Sequence, residues 1–180
     1  EHAIGLMLAV LRQVPAFDAA TRAGEGWTMA PARVERVGEL AGRTIGLVGF
    51  GEIPRRMAPI LAAFGARVIY HARSDHSGTV ATRVSLDRLL AEADIVSLHL
   101  PLTAETSALI GPGALARMKD GAVLINTARG ALIDEAAVAA ALASGKLMGA
   151  GLDVFAAEPT GKDNPLFRLP NVVASPHLAW

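Results

Sequence analysis

The stretch Thr44-Ile45-Gly46-Leu47-Val48-Gly49-Phe50-Gly51-Glu52-Ile53-Pro54 decides the fold. Its first five residues form an apolar run that reads as a buried parallel strand. Arg55 through Phe64 then carry a helical pattern. A strand, a glycine-rich turn and a helix are the context that a dinucleotide-binding turn requires. Gly49 allows the tight turn, and Gly51 presents no side chain, so a pyrophosphate can approach the backbone. The free N–H groups at the helix start then face that anion. Pro54 stands where the pattern has its third glycine.

Strands and helices alternate outward from this turn. Residues 67–71, 94–98, 121–126, 147–154 and 171–174 read as five further strands after the one at 43–48. Helices are expected at 53–64, at 85–91 with Ser85 as N-cap, and at 134–144 with Asp134 as N-cap and Gly145 at the end. Residues 3–22 carry Ile4, Met7, Leu8, Leu11 and Val14 at helical spacing, which predicts one long helix closed by Gly24 and Gly26. Residues 27–42, with Pro31, read as irregular. This alternation predicts an α/β domain with a three-layer, doubly wound parallel sheet.

Composition agrees with that class. The chain has 180 residues, 52% hydrophobic but only 4% aromatic, so its core is aliphatic. That length suits a single domain with a sizeable core. Basic and acidic residues number 17 each, which argues against a nucleic-acid surface. With no cysteine there is no disulfide, thiolate metal site or cysteine nucleophile, and no metal centre is expected. No apolar run reaches the roughly 18 residues of a membrane span. The first residues lack the basic leader and cleavage site of a signal peptide. The expected location is therefore the cytoplasm. The chain begins at Glu1 within a helical pattern and ends at Trp180 without a closing element, so both ends look cut from something longer.

Ligands of doubly wound sheets lie beyond the carboxyl ends of the strands. The residues there are Gly49 and Gly51; His71, Arg73 and Ser74; His99 and Pro101; Thr127, Arg129 and Gly130; Asp153 and Glu158; and Ser175 and His177. Arg129, Glu158 and His177 form a reactive set. A histidine exchanges a proton near neutral pH, and a carboxylate beside it favours the imidazolium. An arginine grips a carboxylate with its planar fork. Together they suit a 2-keto acid beside a nicotinamide. His71 and His99 end strands, as cofactor contacts or as satisfied polar groups. Asp153 could simply cap the next turn. His2 and His76 need no function.

The chain resembles the cofactor domain of the D-isomer-specific 2-hydroxyacid dehydrogenases. The resemblance is carried by residues 94–103, by Leu124-Ile125-Asn126-Thr127-Ala128-Arg129-Gly130, by residues 149–155, by Glu158-Pro159, and by residues 169–173 leading to Ser175-Pro176-His177. It implies a Rossmann-type core over 43–180, entered by a helix over 1–26 that contributes a dimer interface through residues 3–22. The resemblance also implies that Glu52 and Ile53 present backbone N–H groups to the pyrophosphate, that Arg129 binds the substrate carboxylate, that His177 is the acid in reduction and the base in oxidation, and that Glu158 holds His177 protonated. Asp153 meets the nicotinamide amide, while Leu100, Pro101, Thr106, Thr127 and Ala128 line the cofactor cleft. The leading reading is a reductase of the glyoxylate or hydroxypyruvate kind. The alternative is a nucleotide-sensing, corepressor-like binding protein.

Two departures matter. Pro54 adds bulk where the family has a small residue, so weakened cofactor binding is expected. No acid stands at the end of the second strand before Asp75; Tyr70-His71-Ala72-Arg73-Ser74 stands there instead. Arg73 and Ser74 suit a 2′-phosphate, which favours NADP(H) over NAD(H). The substrate domain of the family is absent from this chain, so poor turnover by it alone is expected. Trp180 is a candidate for shaping the pocket.

Overall fold

The computed structural model describes residues 1–28 and 37–179. Seven strands form one parallel sheet: β1 (Thr44–Val48), β2 (Arg67–His71), β3 (Thr82–Arg83), β4 (Ile95–Leu98), β5 (Ala122–Asn126), β6 (Leu147–Leu152) and β7 (Val172–Ala174). Their order is β3-β2-β1-β4-β5-β6-β7. The chain therefore works outward from β1 to one edge and then from β4 to the other. The crevice between β1 and β4 is the switch point, where ligands of such sheets bind. β1, β4 and β5 are buried along their whole length, as a parallel sheet covered on both faces requires.

Two helical layers cover the sheet. On one face α1 (His2–Leu11) and α3 (Glu52–Ala63) pack against Ile45, Leu47, Tyr70 and Ile125. On the other α4 (Leu86–Glu92), α5 (Pro112–Arg117) and α6 (Glu135–Ala143) pack against Val48, Val96, Leu98 and Leu124. Ser85 caps α4 by accepting the Arg88 N–H, and Asp134 caps α6 by accepting the Ala137 N–H.

The structure departs from the sequence expectation at several points. The single helix expected over 3–22 is two, α1 and α2 (Val14–Arg22), bent by 61°. Pro15 lies in the first turn of α2 and has no N–H for the Leu11 carbonyl. That carbonyl accepts the Gly38 N–H instead, at 2.9 Å, and Gln13 takes a left-handed conformation with φ of 51°. Val14 consequently leaves the apolar face and is exposed. Ile4, Met7 and Leu11 are buried within the chain, where α1 crosses β6 and β5. Their spacing thus reflects packing within the chain. β3 and α5 are additional elements, and the fifth expected strand stops at Leu152, not Val154. Gly26–Thr28 forms one tight helical turn; Pro31 and Trp180 lie outside the described residues. Among the described residues no single helix is long and apolar enough to cross a membrane; α1 and α2 meet the test only together, as a bent pair.

Candidate active site at the carboxyl edge of the sheet

The glycine turn stitches three strand ends together. Gly49 has φ of +92°, and a Cβ there would lie 2.3 Å from the His99 carbonyl oxygen. Only glycine fits between those backbones. The Gly49 N–H donates to the His71 carbonyl at 2.8 Å, and the His99 N–H to the Val48 carbonyl at 2.7 Å. At Gly51, the N-cap of α3, a Cβ would meet nothing within 4 Å. No side chain caps this helix, and its amides at Glu52 and Ile53 precede the bond from the Arg55 N–H to the Gly51 carbonyl. Open ground above uncapped first-turn amides fits a pyrophosphate. Pro54 is the third helical residue, where an N–H has no intrahelical acceptor, so it removes no helix bond. Its ring is buried. Glu52 is paired with Arg56 on the surface at 2.6 Å.

At the end of β2, His71 Nδ1 donates to the Val84 carbonyl at 3.2 Å. Arg83 donates to the carbonyls of Ala72 and Arg73 and so sets the loop that presents Arg73 and Ser74, both exposed. Glu105 is held below the usual carboxylate range by the Thr103 hydroxyl, with a further contribution from the charge of Arg73. Asp75, the first acid after β2, is turned onto the buried Tyr70 hydroxyl at 2.9 Å. That bond pulls its carboxyl below the usual range. The Tyr70 ring stacks on Phe50 of the glycine turn, with centroids 3.9 Å apart. Sequence reading missed Tyr70 and Arg83, because neither motif nor spacing marks them.

Beyond β4, His99 bonds to the buried Ser97 hydroxyl at 2.9 Å, and burial lowers its pKa to about 4. It is a neutral, satisfied polar group. Leu100 is half-buried and Pro101 exposed. The Thr106 hydroxyl donates to the Pro101 carbonyl at 2.9 Å and accepts the Thr103 N–H at 2.7 Å, so it folds its own loop. After β5 the buried Asn126 accepts the Ala128 N–H and donates to the Arg129 carbonyl. This builds the turn of Thr127, Ala128 and Arg129. Arg129 is exposed, and its guanidinium rests on the Ala128 carbonyl. A Cβ at Gly130 would lie 1.9 Å from the Phe155 carbonyl carbon. The absence of a side chain there lets the Arg129 turn pack directly on the Phe155 loop.

That loop carries Glu158. Glu158 Oε1 accepts the Phe155 N–H at 2.8 Å, and Oε2 pairs with His177 Nδ1 at 2.6 Å. These two bonds, the Phe155 amide first, hold the Glu158 carboxyl below its ordinary range. The pair opens on a groove of about 640 Å³ walled by Phe155, Pro159, Phe167 and Pro176. Asp153 lies in the lining of the same groove. It is wholly buried, and its carboxylate meets the Ser175 hydroxyl, the N–H groups of Leu178 and Ala179, and His2 Nε2. The Ser175 hydroxyl and the two N–H groups tie it to the loop after β7, the capping role that the sequence offers beside a nicotinamide contact. His2, expected to be idle, is part of this cluster. Among the described residues no group of three or more His, Asp or Glu could hold a metal ion.

Residues 4–179 match the family described as D-isomer specific 2-hydroxyacid dehydrogenase, NAD binding domain. The chain belongs to this family. It is 46% identical over 184 residues to a D-3-phosphoglycerate dehydrogenase of Mycobacterium bovis, covering 99% of this chain and 34% of that protein. It is 44% identical over 187 residues to a glyoxylate reductase of Aeropyrum pernix, covering 99% of this chain and 56% of that protein. Among solved structures, an acyclic imino acid reductase in complex with NADPH and D-Arg superposes with a TM-score of 0.90 at 37% identity, covering 99% of this chain and 56% of that one. The chain thus spans a third to just over half the length of these relatives.

Proposed function

We propose that residues 1–180 are the cofactor domain of an NAD(P)-dependent oxidoreductase acting between a 2-keto acid and a D-2-hydroxy acid, of the glyoxylate or hydroxypyruvate reductase kind. Residues 1–26 form its leading segment and 43–180 its core. The observation that carries this reading is the 2.6 Å His177–Glu158 pair at the same sheet edge as the Gly49–Ile53 turn. A bound nicotinamide supplies the hydride. Glu158 occupies Nδ1 of His177, which leaves Nε2 to face substrate. In reduction Nε2 gives its proton to the keto oxygen; in oxidation it takes the proton back from the hydroxyl. Arg129 exchanges its bond to the Ala128 carbonyl for a two-point grip on the substrate carboxylate.

Arg73 and Ser74 are exposed at the end of β2 while Asp75 is turned away onto Tyr70, which supports a preference for NADP(H) over NAD(H). The location we infer is the cytoplasm, in keeping with a chain that has no cysteine. We also propose a homodimer through residues 3–22; a monomer at micromolar concentration in sedimentation refutes it. For the chemistry, His177→Gln and Arg129→Ala in the protein that carries this chain are expected to lower kcat/KM for 2-keto acid reduction by at least about 100-fold. Cofactor affinity stays within about twofold of wild type. A His177→Gln variant with turnover within tenfold of wild type overturns the assignment.

A further inference from the structure

The buried carboxylate of Asp153 does something the acid–base chemistry alone does not require. Successive N–H groups of the loop after β7 converge on this one residue. The His177 N–H donates to its carbonyl at 2.8 Å, the Leu178 N–H to Oδ1 at 2.9 Å and the Ala179 N–H to Oδ2 at 2.8 Å. His177 is in the left-handed region, with φ of 57°. A left-handed residue followed by inward-pointing amides makes a concave anion site, or nest, and here the anion is the protein's own carboxylate. Burial opposes the charge of Asp153, yet the Leu178 N–H, the Ser175 hydroxyl and the Ala179 N–H together hold its carboxyl below the usual range.

The hydrogen-bond directions then follow. An ionised carboxylate only accepts, so the Ser175 hydroxyl donates to Asp153 Oδ1. The Ser175 oxygen must therefore accept from His2 Nε2, 2.8 Å away. His2 carries its proton on Nε2, which also lies 3.3 Å from Asp153 Oδ1. His2 is the first residue of α1, so the chain of bonds runs from that helix through Ser175 and Asp153 to the backbone of His177.

We propose that Asp153 is the positioning residue of His177, with His2 of α1 as its outer support. The Asp153 nest sets the backbone of His177 and hence the direction in which the imidazole meets Glu158. The value of this device for catalysis rests on the dehydrogenase reading; the device itself does not.

The test is proton NMR on the cofactor-free 180-residue chain. The readouts are the imidazole N–H resonance shared by His177 and Glu158, assigned by its loss in His177→Gln, and hydrogen exchange at Leu178 and Ala179. Asp153→Asn keeps the shape but removes the charge. We expect exchange at both amides to accelerate at least tenfold and the imidazole signal to disappear, with amides of β4 and β5 still protected. His2→Leu is expected to produce the same change in part, and His2→Gln, which keeps an N–H donor, to restore wild-type behaviour. If Asp153→Asn does not fold, the two His2 variants decide. Unchanged signals in both Asp153→Asn and His2→Leu overturn the proposal, as does a His2→Gln variant no better than His2→Leu. Variants that alter only nicotinamide affinity, with the free chain unchanged, also overturn it. A loop that moves as expected in a protein that turns over no 2-keto acid overturns the dehydrogenase reading alone.

Discussion

Gly130→Ala is the substitution whose effect the structure specifies most sharply. The added Cβ would lie 1.9 Å from the Phe155 carbonyl carbon, 2.0 Å from its oxygen and 2.4 Å from the Ala156 nitrogen. All three are backbone atoms, so no side chain can swing aside. The Arg129 turn and the Phe155 loop must separate by about 1.5 Å to reach ordinary contact, and overpacking of this kind costs about 1–3 kcal/mol. Because only backbone can yield, the upper end applies. At this chain length each kcal/mol lowers Tm by roughly 2–4 °C, so a fall of about 6–12 °C is expected. The separation also carries off the Phe155 N–H that holds Glu158 Oε1, and the His177–Glu158 imidazole signal broadens with it. Gly161→Ala is the control: a Cβ there meets nothing within 4 Å, so its effect stays within about 0.5 kcal/mol. Thermal unfolding followed by circular dichroism reads both. A Gly130→Ala Tm within 2 °C of wild type, with the imidazole signal intact, would refute the inference that this glycine lets the two site loops meet.

Pro54→Gly removes the buried ring beside the pyrophosphate turn and is expected to tighten cofactor binding. It also loosens the unfolded chain, lowering stability by about 0.4–1 kcal/mol. An unchanged cofactor Kd in a calorimetric titration contradicts the first expectation. His99 gives a pH signature, because burial lowers its pKa from 6.5 to about 4. The unfolded chain gains a proton as the pH drops through 6.5, whereas the folded chain does not until about 4. Stability is therefore intact above pH 6.5 and is lost between 6.5 and 4, on the order of 3 kcal/mol. His99→Gln abolishes that part of the pH dependence; superimposable acid-unfolding curves for the two proteins contradict it.

Much of the fold was legible because a doubly covered parallel sheet writes its strands as unbroken apolar runs, as in residues 44–48 and 122–126. Ser85, Asp134 and Gly145 marked helix ends by side-chain chemistry that acts within one turn. The strand-end rule brought Gly49, His71, His99, Arg129 and His177 to one edge without any distance being known. β3 has two residues and α5 six, too few to show a period. The break between α1 and α2 was signalled by Pro15, but the apolar spacing across it masked that signal. Least legible were the directions of single side chains. Asp75 is turned onto the Tyr70 hydroxyl five residues back, and the carboxylate of Asp153 is tied to Ser175, Leu178 and Ala179, donors more than twenty residues away. His2 became part of the site only through the packing of α1 on β6, which no local pattern records.

The central claim is that the turn from Gly49 to Ile53 binds a nicotinamide dinucleotide and that Arg73 and Ser74 set its preference. Calorimetric titration of the folded 180-residue chain with NADPH and with NADH tests it directly. We expect both to bind, NADPH at least about tenfold more tightly, one charge-assisted contact's worth of free energy, and Arg73→Ala to erase that difference. A folded chain that binds neither dinucleotide would contradict the claim, and a preference for NADH would contradict the role given to Arg73 and Ser74.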